Sequence, residues 1–316
     1  MPSIGVVLGA GGLVGAAYHA GVLTALAESG FDARDAEIIV GTSAGATLAA
    51  TLRAGFPPLD LARRNLDQRL SPEALAIVAR TGGPPSLDLR PRRRSGPPRP
   101  ASPGLLVRAA RHPVKALTGL LPTGTVPTDE IGTRIDALFD GQSWPGRTTW
   151  ICAVDLGNGD RVVFGRDDIA APIGVAVRAS SSIPGFFEPV THQGRRYVDG
   201  GVHSPTNADL LAGLDVDIVV IVSPMSATSA GQSASLPSAR PLHARRLAGE
   251  VAALRAAGTA VLTFQPTPAD VSVMGRNSMD HRRRTATTAS ALNSTRQRLA
   301  DPDTAERLSV LRHASS

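Results

Sequence analysis

The chain has 316 residues, of which 42% are hydrophobic and 19% charged, and its formal net charge is +6. This composition supports one large globular domain over residues 1–316, and no run of about 18 uncharged apolar residues is present to span a membrane. The single cysteine, Cys152, excludes intramolecular disulfides and cysteine-based zinc sites, and the seven histidines lack metal-ligand spacing, so no metal or other cofactor is expected.

The first 80 residues alternate between short β-branched apolar runs and longer segments with apolar residues at helical spacing. The predicted elements are strands at 3–9 and 37–41, and helices at 12–29, 43–54, about 59–69 and 72–80. This order predicts a parallel sheet covered by helices. The opening run is preceded by no basic residue and is too short for a secretory signal, so we expect a cytoplasmic protein.

Residues 81–125 differ from the rest of the chain. The stretch from Arg80 to Lys115 has nine basic residues, one acid and no aromatic residue, which argues against a nucleic-acid partner. The prolines and arginines of 81–103 predict a mobile loop, and 104–120 predicts a basic amphipathic helix. Two interpretations remain open. The segment is either a plain surface loop or an interfacial lid that contacts anionic membranes through its basic residues and Leu105, Leu106, Val107, Leu117, Leu120 and Leu121.

The second half of the chain continues the alternation of strands and helices. Helices are predicted at 128–139, about 169–179 and 238–257, with a terminal helix pair over 285–313. Strands are predicted at 148–154, 161–165, 217–222 and 260–264, with another that ends at Tyr197 and Val198. The first two flank Asn158-Gly159, a strong hairpin-turn signal. Cys152 lies within the first of these strands, so we interpret it as a core thiol.

The segment Gly41-Thr-Ser-Ala-Gly45 matches the pattern G-x-S-x-G between a predicted strand and a predicted helix. In this context the pattern is typical of a nucleophile elbow, in which a strained turn projects the serine hydroxyl. Glycines two residues on either side allow the strand and helix to approach closely. Ser43 is therefore the candidate nucleophile.

A second glycine-rich loop, Gly9-Ala-Gly-Gly-Leu-Val-Gly15, joins the first strand to the first helix. Its N–H groups are suited to holding either a dinucleotide phosphate or an oxyanion. A dinucleotide site would need an acidic residue after the second strand, and Val40-Gly41-Thr42-Ser43 stands there instead. The pattern thus favours an oxyanion hole formed by Gly11 and Gly12.

The catalytic base is less well determined by the residues alone. His192 and His203 lie in predicted loops, and His19 lies within the first helix. Asp199 ends a predicted strand and precedes Gly200 and Gly201, a pattern that is also common in simple turns. The residues alone leave both a histidine and Asp199 open.

Four blocks, in this order, resemble the patatin-like phospholipases. They are Leu8–Leu23, Gly41–Gly45, Ala179–Pro189 and Val198–Val202. The resemblance implies a three-layer α/β/α sandwich with a mostly parallel central sheet. It also implies a serine hydrolase of phospholipase A, lysophospholipase or carboxylesterase type that cleaves lipid acyl esters. Ser43 would be the nucleophile, Asp199 the base, and Gly11 and Gly12 the oxyanion hole, with no metal.

Two positions depart from the family pattern. Ala10 stands where a glycine is usual, which is harmless unless its backbone needs a positive φ. Val14 stands where a basic residue is usual, which removes a cation that would hold the loop or a lipid phosphate. Arg53 and Arg178 are candidate replacements. The alternative function is a catalytically inactive module that binds lipid.

Overall fold

The computed structural model describes residues 3–82, 90–92, 97–105, 118–227 and 239–302. The strands are β1 (Ile4–Leu8), β2 (Ile38–Thr42), β3 (Thr149–Asp155), β4 (Arg161–Phe164), β5 (Val190–His192), β6 (Arg195–Asp199), β7 (Ile218–Val222) and β8 (Ala260–Phe264). The helices are α1 (Gly12–Glu28), α2 (Ala44–Arg53), α3 (Pro58–Asn65), α4 (Pro72–Arg80), α5 (Asp129–Ala137), α6 (Ile173–Ser181), α7 (Arg240–Ala256), α8 (Pro268–Met274) and α9 (Arg284–Leu299).

The strands form one mixed, mostly parallel sheet in the order β5-β6-β3-β2-β1-β7-β8, and β4 also pairs with β3. Strands β3, β2, β1, β7 and β8 are parallel to one another. Strands β4 and β6 pair antiparallel with β3, and β5 pairs antiparallel with β6. The predicted α/β fold is therefore confirmed. The predicted turn at Asn158-Gly159 joins β3 to β4, and Gly159 adopts a positive φ of 80° there.

The core lies on both faces of the sheet because successive strand residues point to opposite sides. Val6 and Leu8 pack on the face covered by α1 and α2, where α1 also contacts α3 and α9. Val7 packs on the other face, which α7 covers through Leu247, Val251 and Leu254. Cys152 is fully buried on this second face, as predicted for a core thiol. The three layers match those expected.

Several predicted boundaries differ from those observed. Helix α6 begins at Ile173, four residues later than predicted, because Pro172 occupies the position before its first turn. The strand β5 and the helix α8 were not predicted, and both are short. No helix among the described residues is long and apolar enough to cross a membrane.

Much of the 81–125 segment lies outside the described residues, including 83–89, 93–96 and most of the predicted helix at 104–120. The described part is attached to the domain: Arg92 forms ion pairs with Asp129 and Glu188. Leu105 is buried in a cluster with Val154, Leu156 and Val198, so the expectation that it faces lipid is wrong for this conformation. Leu120 and Leu121 are exposed. Residues 303–313 of the predicted terminal helix pair also lie outside the described residues.

Candidate active site

The ends of β2 and β6 meet on one edge of β3. Thr42 pairs with Cys152, and Asp199 pairs with the next residue of β3, Ala153. Strand β4 also pairs with both Cys152 and Ala153, so it occupies the opposite edge of β3. Strands β2 and β6 therefore run head to head along one edge. This arrangement brings Ser43, which directly follows β2, next to Asp199.

Ser43 occupies a sharp turn between β2 and α2. Its φ of 55° and ψ of −117° lie outside the regions that non-glycine residues usually adopt. The turn requires glycine at position 45, because a Cβ on Gly45 would lie 1.9 Å from the carbonyl oxygen of Leu8. The Ser43 N–H donates a hydrogen bond to Ser180 Oγ at 2.8 Å. The strained turn is thus held in place by packing and by a side chain of α6.

The Asp199 carboxylate is buried beside Ser43. It accepts a hydrogen bond from the Gly201 N–H at 2.7 Å. Burial raises the pKa of Asp199 to about 6, and the neighbouring Ser43 side chain and the Gly201 N–H partly oppose that shift. At this pKa the carboxylate is a stronger base than an exposed aspartate and is still mostly ionised at neutral pH.

The glycine loop after β1 lies against both of these turns. A Cβ on Gly45 would contact Leu8 and Gly9, and a Cβ on Gly201 would lie 3.5 Å from the Ala10 side chain. Among the described residues, no acceptor receives a hydrogen bond from the N–H groups of Gly11 and Gly12. Both groups stand at the N-terminus of α1, so they remain available to a ligand oxygen.

Two further contacts define the loop. Gly12 has a φ of 60°, and a Cβ at this position would lie 2.8 Å from the Ser278 carbonyl oxygen. Ala10 is not among the described non-glycine residues with positive φ, so alanine fits there without strain. Its N–H donates to the Pro205 carbonyl at 2.7 Å, and that of Gly9 to the Val222 carbonyl at 3.0 Å. The loop is therefore held by β7 and by the segment after β6.

His19 supports the same loop from within α1, a role that sequence reasoning missed. Its Nε2 donates to the Gly9 carbonyl oxygen at 2.8 Å, since a carbonyl can only accept. Burial lowers the pKa of His19 to about 4, so the ring is neutral near pH 7. The other histidines considered for catalysis make contacts elsewhere. His192 contacts the Ala170 carbonyl, and His203 contacts Arg246.

Asn207 connects the end of β2 to the segment that follows β6. It is fully buried with a left-handed φ of 54°, and its Nδ2 donates to Thr42 Oγ1 and to the Ser204 carbonyl. The side chain makes no capping hydrogen bond to the short helical turn that follows it. Glu250 of α7 supports the same segment by accepting hydrogen bonds from Ser204 and Thr206.

Neither arginine considered as a replacement for the family's basic residue reaches the glycine loop. The guanidinium of Arg53 donates to the carbonyl oxygens of Arg34 and Thr148. The guanidinium of Arg178 pairs with Asp129. Val14 itself is 2% exposed and belongs to the core. The missing cation is therefore not replaced by the residues that sequence reasoning proposed.

Two cavities border the glycine loop. An apolar cavity of about 270 Å³ lies on the β2 side and includes Leu13 and Thr47 in its lining. A more polar cavity of about 510 Å³ lies on the β7 side, beside Gly11 and Val14. Its lining includes Arg240, His243 and Arg276, which sequence reasoning missed because they come from distant helices and loops. We call these two spaces the apolar cavity and the cationic cavity.

Arg240 is fixed within the cationic cavity. Its Nη1 donates to the carbonyl oxygens of Pro224 and Ser226 at 2.7 and 2.8 Å. Burial lowers the pKa of Arg240, and burial followed by the charge of Arg240 lowers the pKa of His243. Arg276 is exposed at the rim. Within the described residues, no group of three histidine, cysteine, aspartate or glutamate side chains is arranged to hold a metal ion.

The sheet is mostly parallel, and a strained serine turn and a glycine loop lie at the ends of adjacent strands. This arrangement is typical of α/β proteins with a nucleophile elbow. The profile of the patatin-like phospholipases matches residues 6–212. The chain therefore belongs to the patatin-like phospholipase family.

The chain is also similar to several individual proteins. Uncharacterised NTE family proteins of Mycobacterium tuberculosis and Mycobacterium bovis are 29% identical over 222 residues, which cover 70% of this chain and 49% of theirs. The chain thus spans about half the length of these relatives. VipD from Legionella pneumophila aligns with 94% of this chain and 66% of its own, at 14% identity and a TM-score of 0.42. At that TM-score the likeness carries no weight for function.

Proposed function

We propose that this protein is a serine hydrolase that cleaves lipid acyl esters of the phospholipase A, lysophospholipase or carboxylesterase type. The observation that carries the proposal is the position of the Ser43 side chain, on a strained turn, next to the buried Asp199 carboxylate. A hydroxyl next to a base of raised pKa, at a strained strand-to-helix turn, is prepared for attack on a carbonyl. Membership of the patatin-like phospholipase family supports a lipid substrate.

In the first half of the reaction, Ser43 Oγ attacks the ester carbonyl carbon and Asp199 accepts the hydroxyl proton. The carbonyl oxygen gains the negative charge, which the N–H groups of Gly11 and Gly12 stabilise by hydrogen bonding. The tetrahedral intermediate collapses, the carbon–oxygen bond to the alcohol breaks, and Asp199 returns the proton to the leaving alkoxide. The product is an acyl ester on Ser43.

In the second half, Asp199 takes a proton from a water molecule as that water attacks the acyl carbonyl. The same two N–H groups stabilise the second oxyanion. Collapse breaks the bond to Ser43 Oγ, which recovers its proton from Asp199, and the fatty acid leaves. Because Asp199 is buried and hydrogen-bonded by Gly201, it keeps its orientation through both halves.

A fluorophosphonate probe tests the proposal directly. Purified wild-type protein is treated with the probe, and the adduct is located by mass spectrometry. Ser43→Ala and Asp199→Asn are the test variants, and Ser29→Ala, at the far end of α1, is the matched serine control. We expect one adduct on Ser43 in wild type and in Ser29→Ala, none in Ser43→Ala, and strongly slowed labelling in Asp199→Asn.

The second candidate is a catalytically inactive module that binds lipid. The buried Val14, in place of the family's basic residue, is the observation that favours it. This candidate predicts a folded protein that is not labelled on Ser43, even when anionic vesicles are added to open any lid. It also predicts lipid binding that survives Ser43→Ala. Absence of labelling under those conditions would reject the hydrolase proposal.

Peripheral contact with anionic membranes is part of the same proposal. Its test is co-sedimentation with anionic vesicles, with a variant that lacks residues 84–100 and has Arg108 and Arg111 neutralised. Loss of binding in this variant is the expected result, since each basic residue near an anionic surface contributes about 1 kcal/mol. Binding equal to that of wild type would leave the 81–125 segment as a plain surface loop.

A further inference from the structure

We infer that the apolar cavity between α2, α4 and α5 is the acyl-chain site and that it selects chains of medium length. This inference rests on the proposed function, because it assigns a chain to the ester that Ser43 would cleave. The cavity has a volume of about 270 Å³, far more than the space of a single water molecule, which is about 30 Å³ in the liquid. The space is a cleft that opens to solvent, so a ligand can enter it from the surface.

The cavity runs along α2, the helix that follows the serine turn, and its lining residues nearest to Ser43 in the chain are Thr47 and Thr51. Helix α2 starts directly after Ser43, and Thr47 and Thr51 follow one and two turns later on the same face of the helix. Leu13, which follows Gly12 of the proposed oxyanion hole, lines the cavity as well. An acyl carbon bonded to Ser43, with its oxygen on the Gly12 N–H, would therefore direct its chain along α2 into this space.

The walls suit a hydrocarbon chain. Half of the lining residues are apolar, and they include Phe56, Ile77, Val78, Ile131 and Leu138. The hydroxyl of Thr51 already donates to the Thr47 carbonyl at 2.8 Å, so it requires no further partner from a ligand. Burial of methylene groups against such walls is the main favourable term for lipid binding.

The inner end of the cavity limits the length of the chain. Phe56, Ile77 and Leu138 line the cavity and are themselves almost fully buried, so the space ends against the core. Arg64, Glu130 and Arg134 also line the cavity, and a chain that contacted them would strip water from them without offering hydrogen bonds. The two helical turns and more between Ser43 and Thr51 span about 12 Å, at 1.5 Å per residue. With carbon–carbon bonds of about 1.5 Å in a zigzag, this length holds about ten carbons.

A series of nitrophenyl esters from butyryl to hexadecanoyl tests the inference in the full-length protein. We expect the wild-type kcat/KM to be highest near the decanoyl ester. Ile77→Trp fills the cavity and is expected to lower the decanoyl-to-butyryl ratio of kcat/KM by at least about tenfold. Leu75→Trp is the matched control on the same helix, since Leu75 is 52% exposed, and it should keep the wild-type ratio.

Val78→Phe provides a second filling variant if Ile77→Trp does not fold, as judged by thermal unfolding. The inference is overturned if both folded variants keep the wild-type chain-length profile. It is also overturned if the profile rises steadily to the hexadecanoyl ester. Either result would leave the hydrolase proposal intact, because the esters would still be cleaved.

A binding measurement separates this inference from the hydrolase proposal. Decanoate is titrated into Ser43→Ala protein, with and without Ile77→Trp, and followed by calorimetry. We expect binding that falls at least about tenfold with Ile77→Trp and is unchanged by Leu75→Trp. If decanoate binds in this way but the wild-type protein cleaves no ester, the hydrolase proposal is rejected and the acyl-chain site is retained. No decanoate binding to Ser43→Ala would overturn the acyl-chain site.

Discussion

The two sides of the glycine loop differ in how their polar groups are held. On the β2 side, Ser43 and Asp199 are 4% and 6% exposed and lie next to each other. On the β7 side, the cationic cavity is open, and Arg276 lies at its exposed rim. Buried, preorganised groups suit a reaction, whereas exposed charges suit attraction of an anionic group. Under the proposed function, we expect bond cleavage on the buried side and a contribution to head-group selection from the cationic side.

The largest expected effect comes from the buried side. Ser43→Ala and Asp199→Asn should each lower kcat/KM by about a thousandfold or more, because the two groups act as a unit. The double variant should be no slower than either single one, as measured with a soluble nitrophenyl ester. Retention of most turnover in Asp199→Asn would break the proposed dyad and would make His203 the next candidate base.

The direction in which Asp199→Asn changes the stability of the fold can be predicted, and it serves as a folding control. The pKa of Asp199 is higher in the folded protein, about 6, than in an unfolded chain, near 3.9. Ionisation of Asp199 therefore opposes folding, and the stability that its protonated form contributes is lost as pH rises through about 6. Asparagine avoids the buried charge. The free energy of unfolding at pH 8 should thus be larger in the variant, by an amount on the order of 2 kcal/mol. Thermal unfolding, which measures this, should therefore occur at a higher temperature in the variant than in wild type.

His19 offers the next largest effect, and it tests whether the loop itself is preorganised. His19→Leu removes the donor to the buried Gly9 carbonyl. We expect kcat to fall roughly tenfold to a hundredfold, since the loss of a preorganised oxyanion donor has a cost of this size or more. KM should change little. His19→Gln, which can still donate, should recover most of kcat. Equal kcat in the folded leucine variant would contradict the supporting role.

We expect the pH dependence of kcat/KM to follow the ionisation of Asp199. The carboxylate must be ionised to accept a proton, so kcat/KM should rise with pH and reach a plateau above an apparent pKa of about 6. At pH 5 the rate should be roughly tenfold below the plateau. His243→Gln is the control from the cationic side, and it should leave the apparent pKa unchanged. A shift of the profile in His243→Gln would end the assignment to Asp199.

The sequence predicted most of the fold, and it also singled out Ser43 and Asp199 as candidates, because both inferences depend on local pattern. The glycines around Ser43 and after β1 mark turns that only close backbone approach explains. The head-to-head meeting of β2 and β6 could not be predicted, since it arises from the way β3 pairs with three strands. Arg240 and Arg276 could not be predicted for the same reason. They line the same cavity as Gly11 from segments more than 200 residues away.

The smallest expected effect comes from the rim of the cationic cavity. Arg276→Ala should lower kcat/KM for an anionic lysophospholipid by up to roughly fivefold relative to a neutral monoacylglycerol. An exposed ionic contact contributes up to about 1 kcal/mol, which sets that range. The difference between the two substrates should shrink as salt is added, because exposed charges are screened.

Arg255→Ala is the matched control, since Arg255 is exposed on α7 and does not line the cationic cavity. It should leave the preference between the two lipids unchanged. If Arg276→Ala leaves that preference unchanged as well, the positive charge on the β7 side does not select substrate. The missing cation at Val14 would then have no replacement, and neutral esters would become the expected substrates.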